Sequence, residues 1–384
     1  MKQFLEKVSI LSLSLVLITS FSISSALPAM FDYYQGYSTG QVELLVSLPS
    51  FGIMAMLLLN GVLERIFPER LQLTLGLLIL SISGIAPFWY QGYYFVFATR
   101  LLFGLGVGML NAKAISIISE RYHGKTRIQM LGFRGSAEVV GASILTLAVG
   151  QLLAFGWTAT FLAYAAGLVV LVLFLLFVPY GKAETHESKH QTEEAAKLTR
   201  SMLQLIFFLA IDAAVVVCTN TAITFRIPSL MIEAGFGDAQ LSSLVLSAMQ
   251  LIGILAGISF SFLISAFKER LLLVAGVTFG IGQIIIALAP SLWVVVAGSI
   301  LGGFAYSIAL TTVFQLLSER IPAKLLNKAT SLAVLGCSFG ASTTPFVLSG
   351  ISLVTLDGRM TFIILGTWMI VTSVIISLLL KKEA

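Results

Sequence analysis

The chain has 384 residues, of which 58% are hydrophobic and only 11% charged, and its net charge is +5. A soluble domain carries about 25% charged residues, so this chain cannot cover itself with a polar surface and lipid is its expected solvent. The positive charge does not indicate nucleic acid, because the basic residues stand in short clusters between apolar runs. The two cysteines, Cys218 and Cys337, lie inside such runs with no disulfide or zinc spacing.

A membrane-spanning helix needs about 20 mainly apolar residues. In chain order, such runs cover roughly 8–31, 40–62, 71–90, 93–117, 128–153 and 157–179, then 201–226, 240–264, 271–290, 292–317, 329–351 and 360–380. Lys2 and Lys7 ahead of the first run, with Ser24, Ser25 and Ala26 inside it, imitate a secretory signal. The run is nevertheless expected to be retained, because the segment around Pro28 has a counterpart around Pro228. Between the sixth and seventh runs, Tyr180–Arg200 is polar, mixed in charge and without apolar periodicity, and reads as a linker. His186 and His190 within it stand at a helical metal spacing, and a solvated linker explains them more simply. The expected organisation is an N-terminal six-helix bundle over 1–180, a cytoplasmic linker over 181–200 and a C-terminal six-helix bundle over 201–384.

The two halves repeat. Phe67-Pro68-Glu69-Arg70-Leu71 has its counterpart in Phe267-Lys268-Glu269-Arg270-Leu271, Ser119-Glu120-Arg121 in Ser318-Glu319-Arg320, and Gly141-Ala142-Ser143 in Gly340-Ala341-Ser342. The offset stays near two hundred residues, which is the sequence form of a transporter built from repeats.

Basic residues set the orientation. With the N-terminus inside, the cytoplasmic segments hold every Lys and Arg except Arg100, Lys113, Arg134, Arg226 and Arg359. Arg226 and Arg359 are read as helix-end residues on the outer side. The outer turns carry Asp32, Glu233, Asp238 and Asp357, with Trp89, Tyr90, Tyr93 and Tyr94 at the interface. The expectation is a multi-pass protein of the cell (plasma) membrane with both termini cytoplasmic.

A charge at the centre of a spanning helix costs about 2.5–3.5 kcal/mol on the insertion scale, so each is a candidate functional residue. Five stand out: Arg100, Lys113, Arg134, Glu138 and Asp212. Asp212 lies about 16 Å along a helix that begins near residue 201, close to mid-membrane. Burial there disfavours the charged form, which suits a proton carrier; a static hydrogen-bonded anchor, with Asn220 as a partner, is the alternative. Arg134 and Glu138 share a helix face and form either a self-neutralising pair or a switch in which a protonated Glu138 frees Arg134. Arg100 cannot lose its proton, so it binds an anion, tunes a carboxylate or snorkels outward. Lys113 lies near the cytoplasmic end and is in reach of the surface. Glu43, one turn into the second run, is in reach of the outer interface. Gly104, Gly106 and Gly108, Gly132, Gly135 and Gly141, and Gly336 and Gly340 are expected to admit close backbone approach.

Two local motifs carry a resemblance. Gly61-Val62-Leu63-Glu64-Arg65 through Glu69-Arg70 resembles the loop after the second helix of the major facilitator superfamily, and Arg100-Leu101-Leu102-Phe103-Gly104-Leu105-Gly106 matches its Arg-x-x-x-Gly-x-Gly pattern in the fourth helix. The six-plus-six helices and the central linker extend the likeness over nearly the whole chain. Gly135–Gly150 lacks the Gly-Pro pair that exporters often carry in the fifth helix. The resemblance implies an all-α fold of twelve transmembrane helices in two pseudo-symmetric bundles. It implies a proton-coupling role for Arg100 and a cavity lined by helices one, four, seven and ten. It also implies a cytoplasmic gate formed by Gly61, Glu64, Arg65, Glu69 and Arg70 with Glu269 and Arg270.

No nucleophile–base pair, phosphate loop or metal cluster is present in the sequence, and no soluble region is large enough for an ATPase. An enzyme is not expected, nor a cofactor or a metal. The leading reading is a secondary transporter working by alternating access, with proton-coupled export of amphipathic or drug-like molecules. Transport of a small organic or inorganic anion is the alternative, since three embedded cations face two embedded carboxylates. A sensor or scaffold on the same fold is a third reading. The expected partners are a small-molecule substrate, protons and the lipid bilayer, with no nucleic acid, and the expected state is a monomer.

Overall fold

The computed structural model describes residues 2–114, 116–122, 124–178 and 199–382. The linker expected over 181–200, with His186 and His190, lies almost entirely outside the described residues. Among those residues the fold is all helical, and ten helices are long and apolar enough to cross a membrane. We label them with their neighbours in chain order: α1 (Lys2–Ser12), α2 (Leu27–Tyr33), α3 (Thr39–Ile66), α4 (Glu69–Ile85), α5 (Tyr93–Ala114), α6 (Ser116–Arg121), α7 (Gly124–Leu152), α8 (Ala166–Phe177), α9 (Arg200–Glu233), α10 (Ala239–Phe267), α11 (Leu271–Ala287), α12 (Leu292–Arg320), α13 (Ala323–Ser352) and α14 (Gly358–Lys382). A nine-residue 3-10 stretch, Trp157–Ala165, runs into α8.

Two of the twelve expected crossings are not among these ten. The helical stretch of α11, Leu271–Ala287, is 17 residues. The first run, expected as one helix over 8–31, is broken: α1 passes into a 3-10 turn at Leu13–Val16, and a second 3-10 turn at Ser22–Ala26 leads into α2. The broken stretch is dense in hydroxyl residues. Ser12 donates to the Ser9 carbonyl at 2.8 Å, Thr19 to Val16 at 2.9 Å and Ser24 to Phe21 at 2.6 Å, local bonds that compete with the helical ladder. Carbonyls freed by the break must be met inside the protein, because lipid offers no donors. Tyr164 donates to Thr19 O at 3.2 Å and Arg100 to Ser20 O at 2.6 Å.

The halves repeat in space as in sequence. Within the N-terminal half, Gly104 of α5 lies against the Pro49 carbonyl of α3, and Gly141 of α7 against the Leu15 carbonyl. Within the C-terminal half, Gly303 of α12 lies against the Met249 carbonyl of α10, and Gly340 of α13 against the Ala214 carbonyl of α9. Each contact recurs near the two-hundred-residue offset, and each is too close for a Cβ. Two apolar cores lie within the second half; the third fills the first half and reaches across to Ala222, Phe225, Leu348 and Leu365 of the second. Gly132 and Gly135 depart from the packing expectation, since nothing lies within 4 Å of where their Cβ atoms would be.

The halves meet along two seams, α3 on α13 and α7 on α10. We call the side carrying residues 66–69, 178, 199, 267–271 and 382 the basic face, and the opposite side the far face.

Candidate functional site: a cleft between the halves

The seams are closed toward the far face. Ser143 and Ser247 exchange hydrogen bonds at 3.3 and 3.0 Å, Gln240 donates to Gln151 at 2.9 Å, and Gln250 to Thr146 at 3.3 Å. Phe21 of the broken crossing packs on Phe225 of α9 with ring centroids 6.0 Å apart. Helical spacing of three and four residues lets the same stripes be followed to the basic face. On α7 the stripe of Gly150, Thr146 and Ser143 continues to Ser136, Gly132 and Gln129, and on α10 Ser247 and Gln250 continue to Ile258, Ser261 and Ser265; all of these continuations are exposed. On α3, Leu58 and Val62 are likewise uncovered. The halves therefore touch near the far face and part toward the basic face, leaving a cleft.

The wall of the cleft on α9 is apolar. Leu203 and Phe207 lie on the stripe that carries Phe225, and Phe207 is 60% exposed. With Ile206, Ala210 and Leu332 they line a pocket of about 450 Å³, rimmed by Arg200 and Gln204. Such a surface takes an apolar or amphipathic solute.

The five charged residues singled out in the sequence do not converge on one point. Arg100 is fully buried in the N-terminal half. Its Nε donates to Leu45 O at 3.1 Å and an Nη to Ser20 O at 2.6 Å, and its guanidinium lies 4.8 Å from the Phe103 ring and 5.4 Å from that of Tyr164. It does not snorkel; it ties α5 to α3 and to the break in the first crossing. Lys113 is buried near the basic end of α5. Arg134 and Glu138 form an ion pair at 2.5 Å. They share a face of α7 with Gly141, which sits on Leu15, so they point to the first crossing and not across the seam. Asp212 is 2% exposed, one helical turn from Leu209 and Val216 of two apolar cores. No ion pair joins it among the described residues, and its Oδ2 is buried without a hydrogen-bond partner.

In the loop motif, Arg70 donates to the Val178 and Leu175 carbonyls at 2.8 and 3.2 Å and lies 5.9 Å from the Phe174 ring. A cation on the last carbonyls of a helix offsets its dipole, and this contact is within one half. Glu69 stands in the first turn of α4, where a carboxylate is favoured. Gly61, Arg65 and Arg270 are exposed, and the side chains of Glu64 and Glu269 lie outside the described residues.

One charged pair escaped the sequence reading. Glu43, expected at the outer interface, is 1% exposed, and Arg226, expected at a helix end, lies inside α9, which runs on through Pro228 to Glu233. Arg226 Nη2 lies 3.0 Å from Glu43 Oε1, an ion pair between the halves at the sealed end of the cleft. The available signal was the intramembrane position of each charge; their pairing across halves is not visible in one dimension.

Comparison with known proteins gives the fold and the family. The chain is 28% identical over 150 residues to a hexuronate transporter of Bacillus subtilis, a match covering 38% of this chain and about a third (36%) of that protein's length. It is 26% identical over 275 residues to multidrug resistance protein MdtL of Shewanella oneidensis, covering 67% of this chain and 68% of that one. Among solved structures, a bacterial homolog of the human lysosomal transporter Spinster in an inward-facing, occupied conformation superposes with a TM-score of 0.78 at 15% identity, covering 100% of this chain and 97% of that one. The D-xylose–proton symporter superposes with a TM-score of 0.77 at 16% identity, covering 98% and 97%. These structures share the fold. The Major Facilitator Superfamily family model matches residues 10–277 and 213–384, and this multi-pass membrane protein belongs to that superfamily.

Proposed function

We propose that the protein is a secondary active transporter that moves small amphipathic or drug-like molecules out of the cell by alternating access, in exchange for protons. One observation carries the reading: the same helix stripes are sealed near the far face and exposed near the basic face, and the exposed part of α9 forms the apolar pocket around Phe207. The halves, taken as 1–180 and 201–384, rock about the α3–α13 and α7–α10 seams, so that the pocket faces one side at a time. Both termini are assigned to the cytoplasm of a plasma-membrane protein, which makes the open side of this structure the inner one.

In this reading Asp212 carries the proton. It is a lone carboxyl in an apolar setting, and exchanging its proton requires the water that rocking admits. Glu138 and Arg134 form a secondary switch beside the first crossing, with Lys113 further along. Arg100 acts by fixing the broken crossing against which Phe225 closes. In the opposite state, Gly61, Glu64, Arg65, Glu69 and Arg70 with Glu269 and Arg270 shut the basic face, which requires Arg70 to leave the end of α8. Transport of an organic anion is the second reading. It is favoured by Arg200 at the pocket rim and by the similarity to a hexuronate transporter.

Flux in proteoliposomes under an imposed pH gradient tests both. Uptake of a lipophilic cationic dye driven by the gradient supports the first reading. Uptake of a hexuronate with no dye movement replaces it with the second. Absence of flux of either kind removes the transporter proposal.

A further inference from the structure

Glu43 and Arg226 play no part in the proton route above, yet they are the charged pair that joins the two halves where the cleft is sealed. Neither Glu43 oxygen has a well-aligned hydrogen bond, and Arg226 Nε is buried without a partner. A buried carboxylate so poorly satisfied is a costly group. Beside it lies a cavity of about 210 Å³ on the far face. Its walls come from both halves: Thr39 and Gly40 from α3, Arg226 and Ser229 from α9, Ser349 from α13 and Thr361 from α14. It is hydroxyl-lined and large enough for several waters, and it reaches the guanidinium that holds Glu43.

We propose that Glu43 is a second proton-binding site, loaded from the far face through this cavity, and that its protonation unlatches the halves there. The proposal rests on the proton-coupled reading above and adds the residue that senses the far-side proton. Protonation removes the charge that Arg226 pairs with, so the ion pair between halves is lost and the far face is freed to open. The polar groups of the neighbouring elements have other partners, which leaves Glu43 to Arg226. Arg100 of α5 is turned to the Leu45 and Ser20 carbonyls, Tyr93 of α5 donates to the Gln41 carbonyl, and Tyr34 of α2 donates to the Gln91 carbonyl. The α13 wall contributes Ser349, Ser352 and Leu348 to the cavity, and Glu233 of α9 is exposed at its mouth.

The test is a distance measurement on the full chain in lipid nanodiscs. Spin labels are placed at the exposed Tyr94 and Leu356, on the far ends of opposite halves, in a Cys218→Ser, Cys337→Ser background. On acidification from pH 8 to 5.5 the population with the longer distance rises, and Glu43 contributes at most about tenfold per pH unit to that rise, as one linked proton requires. In Glu43→Gln that contribution is lost: the pH dependence is shallower than the parent's, and the long distance is already populated at pH 8. Glu43→Asp keeps a pH response with a moved midpoint, which excludes a folding defect as the cause. If Glu43→Gln keeps the parent's full pH response while dye flux still follows the pH gradient, the proposal fails and proton coupling stands. If neither distance nor flux responds to pH in the parent, both fail.

Discussion

Ser143 and Ser247 each donate a hydroxyl to the other's backbone carbonyl, at 3.3 and 3.0 Å, so one reciprocal pair of bonds joins α7 of the first half to α10 of the second. The pair sits where the seam changes from sealed to open. Interhelical hydrogen bonds in membranes are worth about 0.6 kcal/mol each. The double variant Ser143→Ala, Ser247→Ala is therefore expected to move the far-face equilibrium toward opening by about eightfold. The Tyr94–Leu356 spin-label distance measures it, and an unchanged distribution would show that these bonds do not hold the seam.

A steric wedge acts on the same seam with greater force. A Cβ at Gly150 would collide with Ser243 Oγ of the other half. Gly150→Leu is expected to abolish the far-face-closed state and to stop transport while leaving the protein monodisperse on size exclusion, since the packing within each half is untouched.

Arg100 is expected to matter for stability before coupling. Arg100→Ala leaves the buried carbonyls of Ser20 and Leu45 without their donor, at about 2–6 kcal/mol in total. Arg100→Lys recovers part of this at most, because an ammonium cannot span both carbonyls in the guanidinium's fork geometry. Thermal unfolding in detergent checks the order parent, Lys, Ala. A parent-like melting temperature with lost proton coupling would reverse this assignment.

The repeated glycines give an internal control. Gly104→Val and Gly303→Val force side chains onto the Pro49 and Met249 carbonyls at equivalent places in the two halves. Overpacking of this kind costs about 1–3 kcal/mol, and the two losses are expected to be similar. A large difference between their unfolding midpoints would mean that the halves are not equivalently packed.

Asp212→Asn separates coupling from folding. It exchanges a lone buried acid for a neutral near-isostere, so the melting temperature is expected to hold or rise. Gradient-driven flux is expected to be lost, while solute exchange without a gradient persists. Gradient-driven flux at the parental rate in Asp212→Asn would remove Asp212 from the proton route.

Composition and order alone determined that the chain lives in a membrane, that it is helical and that it is made of two related halves. Apolar runs of spanning length allow nothing else, and the offset of Gly141 and Gly340 is visible on the page because both meet a neighbouring backbone. The individual charges were legible too, since each is costly wherever it lies. Which charge meets which was decided by tertiary structure. Glu43 and Arg226 stand 183 positions apart in the numbering and pair only because the halves close at the far face. Arg100 read as a coupling residue, and its environment is set by the break in a helix that apolar content had presented as continuous. Along that break hydroxyls bond to carbonyls three residues earlier, and two side chains from distant segments, Arg100 and Tyr164, donate to the carbonyls it frees. Hydropathy counts how much apolar surface a segment has; it does not record which neighbour supplies the hydrogen bonds that lipid withholds.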